Sequence, residues 1–459
     1  MEKLSERDKI FRLAISSRVL VLVIQLLAYN LLPNHETDVF ASPSSPGDGQ
    51  RPLDPVVSFL LGGLLHWDGQ YFLHVARYGY TYLNTLAFFP LLPMAGSLIA
   101  SLASPLTVLL SPPMLFLLLF TILNFYCFVY AALALYDLSV ALLPLNSNVP
   151  FRSAVLFCFS PASIFFSAPY SESLFAFVTF SGLTRLHTPS QPLSSTLALA
   201  LSTACRSNGL LNILHPLHLH LRFRRPHLAL LALVLIPIPF LLFQVFSYGR
   251  FCLDPHYSPP PFLLEHAQDN GYLVAGGAPP PFCQQSLALP YQYVQSSHWE
   301  VGFLRYFEMK QLPNFLLVAP LLAIVVPSGW RFFRNYPRHC LTLGLRGTCP
   351  KAVPGELPPN TLPLVVHTAF LAVFCFFCIH VQVTTRIIAS SCPAFYWFAA
   401  LWSSHKSPKV ETLIITKSYW QCFLFCERPK DWKGHFVRLY FLSYLIVGTI
   451  MFSVSLPWT

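Results

Sequence analysis

Apolar residues in this 459-residue chain come in long blocks, and polar or basic residues in short ones. Blocks of about 20 apolar residues are the signature of helices that cross a bilayer. They predict spans over 11–32, 86–110, 114–143, 151–168, 170–187, 194–214, 228–248, 312–327, 361–383, 386–403 and 436–456. The short segments within 151–214 could merge or re-enter, so the count lies between about eight and eleven. A membrane barrel would instead show alternating segments of about ten residues. The pattern therefore predicts an all-α polytopic integral membrane protein, with residues 1–459 forming a single transmembrane domain.

Charge adds sidedness. Only 10% of residues are charged and 54% are hydrophobic, against about 25% charged in soluble domains. The 41 prolines and 41 phenylalanines fit broken, aromatic-rich spans, where neighbouring helices satisfy the carbonyls that proline frees. The net charge of +10 sits in short loops between spans and reports orientation, not nucleic-acid binding. Lys3, Arg7, Lys9 and Arg12 place the N-terminus in the cytosol, and the first span reads as an uncleaved signal anchor. Residues 33–85 then form a first lumenal loop, irregular over 41–55 and helical along the interface over 56–78. Residues 249–311 form a second large lumenal loop. The basic stretches around Arg222, over 328–360 and over 404–435 are cytosolic, the last an irregular insertion without assigned function. Cys252 and Cys283 would form a disulfide if their loop faces an oxidising lumen. Cys375 and Cys378, inside an apolar helix, read as packing residues.

The stretch 62–93, GGLLHWDGQYFLHVARYGYTYLNTLAFFPLLP, interleaves His66, Asp68, His74 and Arg77 with apolar and aromatic residues at the edge of a span. Asp68 reads either as a general base at the membrane surface or as the cap of a helix over 69–78. Trp67 offers a flat apolar face for a sugar ring or an interfacial anchor. Glu172 in APYSES and Arg206 with Asn208 in ACRSNG are intramembrane polar residues, which mark function by default. Arg206 would pair with Glu172 or clamp a lipid phosphate. His380 and Arg386 in CIHVQVTTR fall at the lumenal end of a span, with Arg386 a phosphate contact or a snorkelling arginine. Trp299 and Lys310 belong to a mixed polar and aromatic stretch, 291–314, that would form a second wall of a cavity. No phosphate-binding glycine loop, dinucleotide fingerprint, zinc motif or nucleophile elbow is present. With no soluble domain for a nucleotide sugar, an activated donor would itself be a membrane lipid.

Six segments carry a resemblance: HWDGQYFLHVARYGY with NTLAFFPLLP, SPASIFFSAPYSESLFAF, TACRSNGLLN, SSHWEVGFLRYFEMKQLPNFLLVAP, HVQVTTRIIASSCPAFYWF and the terminal SLPWT. In this order the chain resembles the GPI mannosyltransferase 2, or PIG-V, family, with the GT-C architecture of polytopic glycosyltransferases. The resemblance implies a multi-pass enzyme of the endoplasmic reticulum membrane with a lumenal active site. It would transfer the second mannose, in α-1,6 linkage, from dolichyl phosphate mannose to the glycosylphosphatidylinositol (GPI) precursor. Asp68 matches the family's Trp-Asp and would be the catalytic base. Trp67, His66, Glu172, Arg206, Asn208, Trp299, Lys310, His380 and Arg386 are the expected substrate-binding set. At His66 the family pattern carries Arg. No cofactor and no obligatory metal follow, and the partners are the two lipid substrates, with a small membrane subunit left open. Two other readings stand beside this one. A transporter would work through Glu172 and Arg206, and a non-catalytic subunit of a GPI-synthesis complex would need neither.

Overall fold

The computed structural model describes residues 5–403 and 431–458, apart from 36, 38, 145, 146, 189, 190 and 347. Most of the predicted insertion, 404–430, lies outside the described residues. The rest is helical, and the one β feature among the described residues is an isolated antiparallel bridge between Tyr82 and Val274.

Among the described residues, six helices are long and apolar enough to cross a membrane. They are α1 (Glu6–Leu31), α5 (Pro112–Leu142), the joined pair α10 (Pro226–Leu235) and α11 (Ile238–Tyr248), α14 (Leu312–Asn335), α16 (Leu362–Cys378) and α19 (Trp432–Ser453). The other predicted spans are real apolar elements but shorter. The 86–110 block holds α4 (Leu91–Leu102), and 151–168 holds α6 (Val149–Cys158) followed by a tight turn of helix, Ser163–Phe166. The next two blocks give α7 (Glu172–Leu186) and α8 (Pro192–Cys205). The block 386–403 is divided into α17 (Thr384–Ser391) and α18 (Pro393–Trp402) by Pro393, which cannot donate within a continuing helix. An apolar block reports burial from water. It does not report whether lipid or protein provides the burial, and α6 is buried along its whole length by its neighbours.

Helix α5 is the centre of the bundle, packing on α1, α6 and α7, with α8 laid against α7. Its seventeen buried residues, among them Phe120, Asn124, Phe128 and Leu135, face the bundle, and Ile122, Tyr126 and Tyr130 form an exposed stripe on the other side. The chain ends give the bundle two distinct poles. At one, Arg7 bonds Asp137 at 3.3 Å, Tyr136 bonds Glu6 at 2.8 Å, and Asn360 bonds the Leu142 carbonyl at 3.0 Å. His218 of α9 (Leu214–Arg222) meets the Leu343 carbonyl there at 2.7 Å. At the other pole, Gln25 and Asn30 of α1 bond the carbonyls of Leu60 and Phe59 at the end of α2 (Asp54–Leu61).

This second pole carries the irregular segments. Residues 56–78, expected as one interfacial helix, are two: α2 and α3 (Asp68–Tyr78), separated by a single tight turn at Gly62–Leu64 and a reversal at Trp67. An aromatic cluster of Tyr80, Phe89, Phe243, Phe251 and Phe282 anchors the 249–311 segment on the bundle. The Cys252–Cys283 disulfide, with 31 residues of separation, closes that segment. Within it lie α12 (Pro261–Asn270) and α13 (Pro290–Ser297). Cys375 is buried and both it and Cys378 are free, which fits packing roles.

Candidate active site

The site begins with a break in the backbone. Trp67 has φ 54° and ψ −128°, a conformation that only glycine adopts without strain. Its indole packs against the main core, and α3 starts at the next residue. The helix therefore does not take Asp68 as its N-cap. Asp68 is the first helical residue, its backbone N–H donates to the Tyr170 hydroxyl at 3.0 Å, and its carboxylate is turned away from its own helix.

That carboxylate accepts a 2.7 Å bond from Arg386 Nη1 across 318 residues of sequence. Arg386 Nε lies 3.8 Å from Glu172 Oε1, and the same Glu172 oxygen is ion-paired with Arg206. Acid, base, acid and base thus form one continuous row. Glu172 is the most enclosed member, with its side chain 2% exposed, against 16% for each arginine and 24% for Asp68. Two carboxylates and two guanidinium groups balance, which makes so much charge tolerable at this depth. Of the readings open for Arg206, pairing with Glu172 is the one observed, and Arg386 turns inward instead of snorkelling.

The row forms the floor of a cavity of about 530 Å³. Asn208, Trp299 and His380 also line it, along with the apolar faces of Phe72, Phe88, Leu371 and Phe374. Seven of the ten residues expected from the sequence are therefore gathered in one place. Trp299 stands against Tyr71 and Phe88 at ring separations of 5.9 Å, with the rings tilted or edge-on to one another. His380 stacks on Tyr306 at 4.6 Å. Asn208 bonds Ser391 at 3.3 Å, tying the end of α8 to α17.

Three of the expected residues lie elsewhere. Trp67 is packed behind the site. His66 faces Ser455 at 3.0 Å and the Tyr29 and Phe452 rings, and burial lowers its pKa, so it offers no standing cation. Lys310 is exposed and paired with Glu308 at 2.6 Å. Within the 62–93 stretch, His74 also points away. It bonds Thr81 at 2.6 Å, and burial, with His266 and Arg77 nearby, pushes its pKa down to about 3. Arg77 is ion-paired with Asp48 and pins the 41–55 loop to α3.

Three positioning residues were not singled out from the sequence. Tyr170, two residues before Glu172, lines the cavity and holds the Asp68 backbone. Asn124 donates to the carbonyls of Ala168 and Tyr170, at 2.5 and 3.0 Å, from the middle of α5. Arg18 is fully buried within α1 and donates to Ser163 O, Ser163 Oγ and Ser167 Oγ at 2.7, 2.6 and 3.1 Å. It also reaches the Cys158 carbonyl, and it covers the face of Phe128 at 3.8 Å. Together Arg18 and Asn124 donate to four carbonyls, those of Cys158, Ser163, Ala168 and Tyr170, in the broken segment 158–171, which delivers Tyr170 and Glu172 to the cavity. An arginine inside a first span is a signal available in sequence.

The family model for mannosyltransferases described as PIG-V matches residues 7–459. The chain is 36% identical over 492 residues to the GPI α-1,6-mannosyltransferase 2 of Homo sapiens, covering 99% of each chain. It is 36% identical over 494 residues to the protein of the same description from Cricetulus griseus, again covering 99% of each. The GPI mannosyltransferase 2 of Drosophila melanogaster is 35% identical over 483 residues, covering 98% of this chain and 100% of its own. Among solved structures, the Archaeoglobus fulgidus oligosaccharyltransferase aligns with a TM-score of 0.43 at 14% identity, over 96% of this chain and 55% of its own. The full-length match and these identities place the chain in the PIG-V mannosyltransferase family, as a multi-pass membrane glycosyltransferase.

Proposed function

We propose that this protein is the α-1,6-mannosyltransferase that adds the second mannose to the GPI precursor, with dolichyl phosphate mannose as donor. The observation that carries the reading is the Asp68–Arg386–Glu172–Arg206 row on the floor of a single cavity. Asp68 takes the proton of the acceptor mannose 6-hydroxyl. The freed O6 attacks C1 of the donor mannose from the face opposite the β-linked phosphate. The C1–O bond to phosphate breaks as the C1–O6 bond forms, which inverts the anomeric centre to α. Dolichyl phosphate leaves with an additional negative charge, and Arg386, held between the two acids, is the nearest cation to receive it. Glu172 keeps both guanidinium groups at the floor. Trp299 supplies a wall for a sugar ring, and His380 and Asn208 supply polar groups for its hydroxyls. In this reading the site faces the lumen of the endoplasmic reticulum. The disulfide at the same pole and the arginines gathered at the opposite one support that sidedness.

The test is complementation of cells lacking the second GPI mannosyltransferase, comparing wild type with Asp68→Ala and reading lipid intermediates and surface GPI-anchored protein. Rescue by wild type alone, with the one-mannose lipid accumulating in the mutant, is the expected result. Rescue by both removes Asp68 from the chemistry. Failure of the wild type at normal expression removes the assigned reaction.

A further inference from the structure

A second cavity, of about 490 Å³, lies at the other end of the α7–α8 pair. Helix α7 carries Glu172 of the first cavity at its start and Leu186 of the second at its end. At about 1.5 Å per residue the two are separated by roughly 20 Å along the helix axis. The cavities therefore lie at opposite ends of the α7–α8 pair.

The lining of the second cavity is one-sided in charge. Arg222, Arg225, His187, His215, His218 and His220 face it, and among the described residues no acid does. Neither arginine has an acidic partner among the described residues. His220 is 4% exposed, and its Nε2 has no hydrogen-bond partner. His218 gives Nε2 to the Leu343 carbonyl at 2.7 Å, leaving a buried Nδ1 without a partner. The chain reversal after α9 sets the two arginines. Arg224 has φ 55°, and the Arg225 N–H closes on the His220 carbonyl at 2.8 Å. Arg222, half-buried, and Arg225, exposed, line a cavity whose buried imidazole lacks a partner. Among the described residues no three His, Cys, Asp or Glu side chains converge to hold a metal ion, so the missing partner is not read as a cation.

The other walls are apolar, including Leu142, Leu183 and Leu364. The adjoining α8 exposes Leu193 and Leu197 on its outer face. A ligand that suits this lining has an anionic head and an apolar body, and basic pockets between helices at a membrane surface accept such head groups. We propose that this cavity binds the phosphate of an anionic membrane lipid, through Arg222, Arg225 and His220, at the pole opposite the active site. The inference is independent of the reaction assigned above.

The test uses purified full-length protein in neutral detergent. Binding of dioleoyl phosphatidic acid, dioleoyl phosphatidylcholine or inorganic phosphate is followed by native mass spectrometry and by the thermal unfolding midpoint. Phosphatidic acid should be retained and raise the midpoint, phosphatidylcholine should not, and Arg222→Gln with Arg225→Gln should weaken retention at least about tenfold. If inorganic phosphate gives the same shift and displaces the lipid, phosphate recognition stands and the source is soluble. If the double variant retains phosphatidic acid as well as wild type, or neither probe shifts the wild type, the proposal is overturned. Should the double variant misfold, Thr188→Glu at the exposed mouth carries the same comparison.

Discussion

The two cavities are of similar size and are built on the same pair of helices, yet their charges are arranged in opposite ways. At the start of α7, every guanidinium in the cavity faces a carboxylate. At its end, two arginines and a buried histidine face no acid among the described residues. A floor that is neutral when empty suits a reaction in which a proton leaves and a phosphate gains charge, because acid and cation are both in position beforehand. A floor of uncompensated cations can only attract. The difference shows that an arginine at a membrane helix end is not one kind of residue, since its role follows from what it faces.

The largest expected effect removes the carboxylate from the first cavity. Asp68→Asn keeps the size of the side chain and should lower mannosyl transfer by about 10²–10⁴-fold, the usual range for a general base. It would be measured with microsomes and a synthetic acceptor at matched protein levels. Unchanged transfer would remove Asp68 from the chemistry.

Next comes the balance itself. Arg206→Gln leaves the Glu172 carboxylate, 2% exposed, with only the 3.8 Å contact to Arg386. Breaking a buried pair on one side costs about 3 kcal/mol, so a clear drop in thermal midpoint is expected. Arg206→Gln with Glu172→Gln should recover most of it, and a double variant no more stable than the single would deny the coupling.

Supplying the second cavity with the acid it lacks is a smaller perturbation. Thr188→Glu should weaken phosphatidic acid retention about tenfold, or 1.4 kcal/mol, while leaving mannosyl transfer within about twofold, because roughly 20 Å separates the cavities. A matched loss of transfer would show that the two poles are coupled. Tyr170→Phe removes one hydrogen bond to the Asp68 backbone, worth about 1 kcal/mol, and should reduce transfer several-fold without changing substrate selectivity. Lys310→Ala should change nothing measurable, since its pair with Glu308 is exposed. A loss on Lys310→Ala would return this residue to the site.

The sequence alone determined the class of the protein, because blocks of apolar residues admit few structures in a membrane and helices satisfy their own backbone. It also showed which residues to examine. Charges are scarce in this chain, so Asp68, Glu172, Arg206 and Arg386 stood out simply by lying among apolar neighbours. What it did not determine was orientation. His66 and His74 lie as near Asp68 in sequence as any partner could, yet both point away from the cavity. The partner that matters, Arg386, is 318 residues distant. Local composition marks a residue as costly to bury, while only packing decides what offsets that cost.

Span counting met the same limit. The apolar content of α6 and α7 was legible, and so was the break between them at Pro161 and Pro169, but the contacts that hold the broken segment were not. Arg18 from α1 and Asn124 from α5 donate to carbonyls of that break, and no periodicity within 158–171 encodes partners on other helices. The row of charges exists because that broken segment, the strained turn at Trp67 and the start of α17 meet around one cavity. The sequence supplied the groups, and tertiary structure placed two acids and two bases within reach of each other, where burial makes their pairing obligatory.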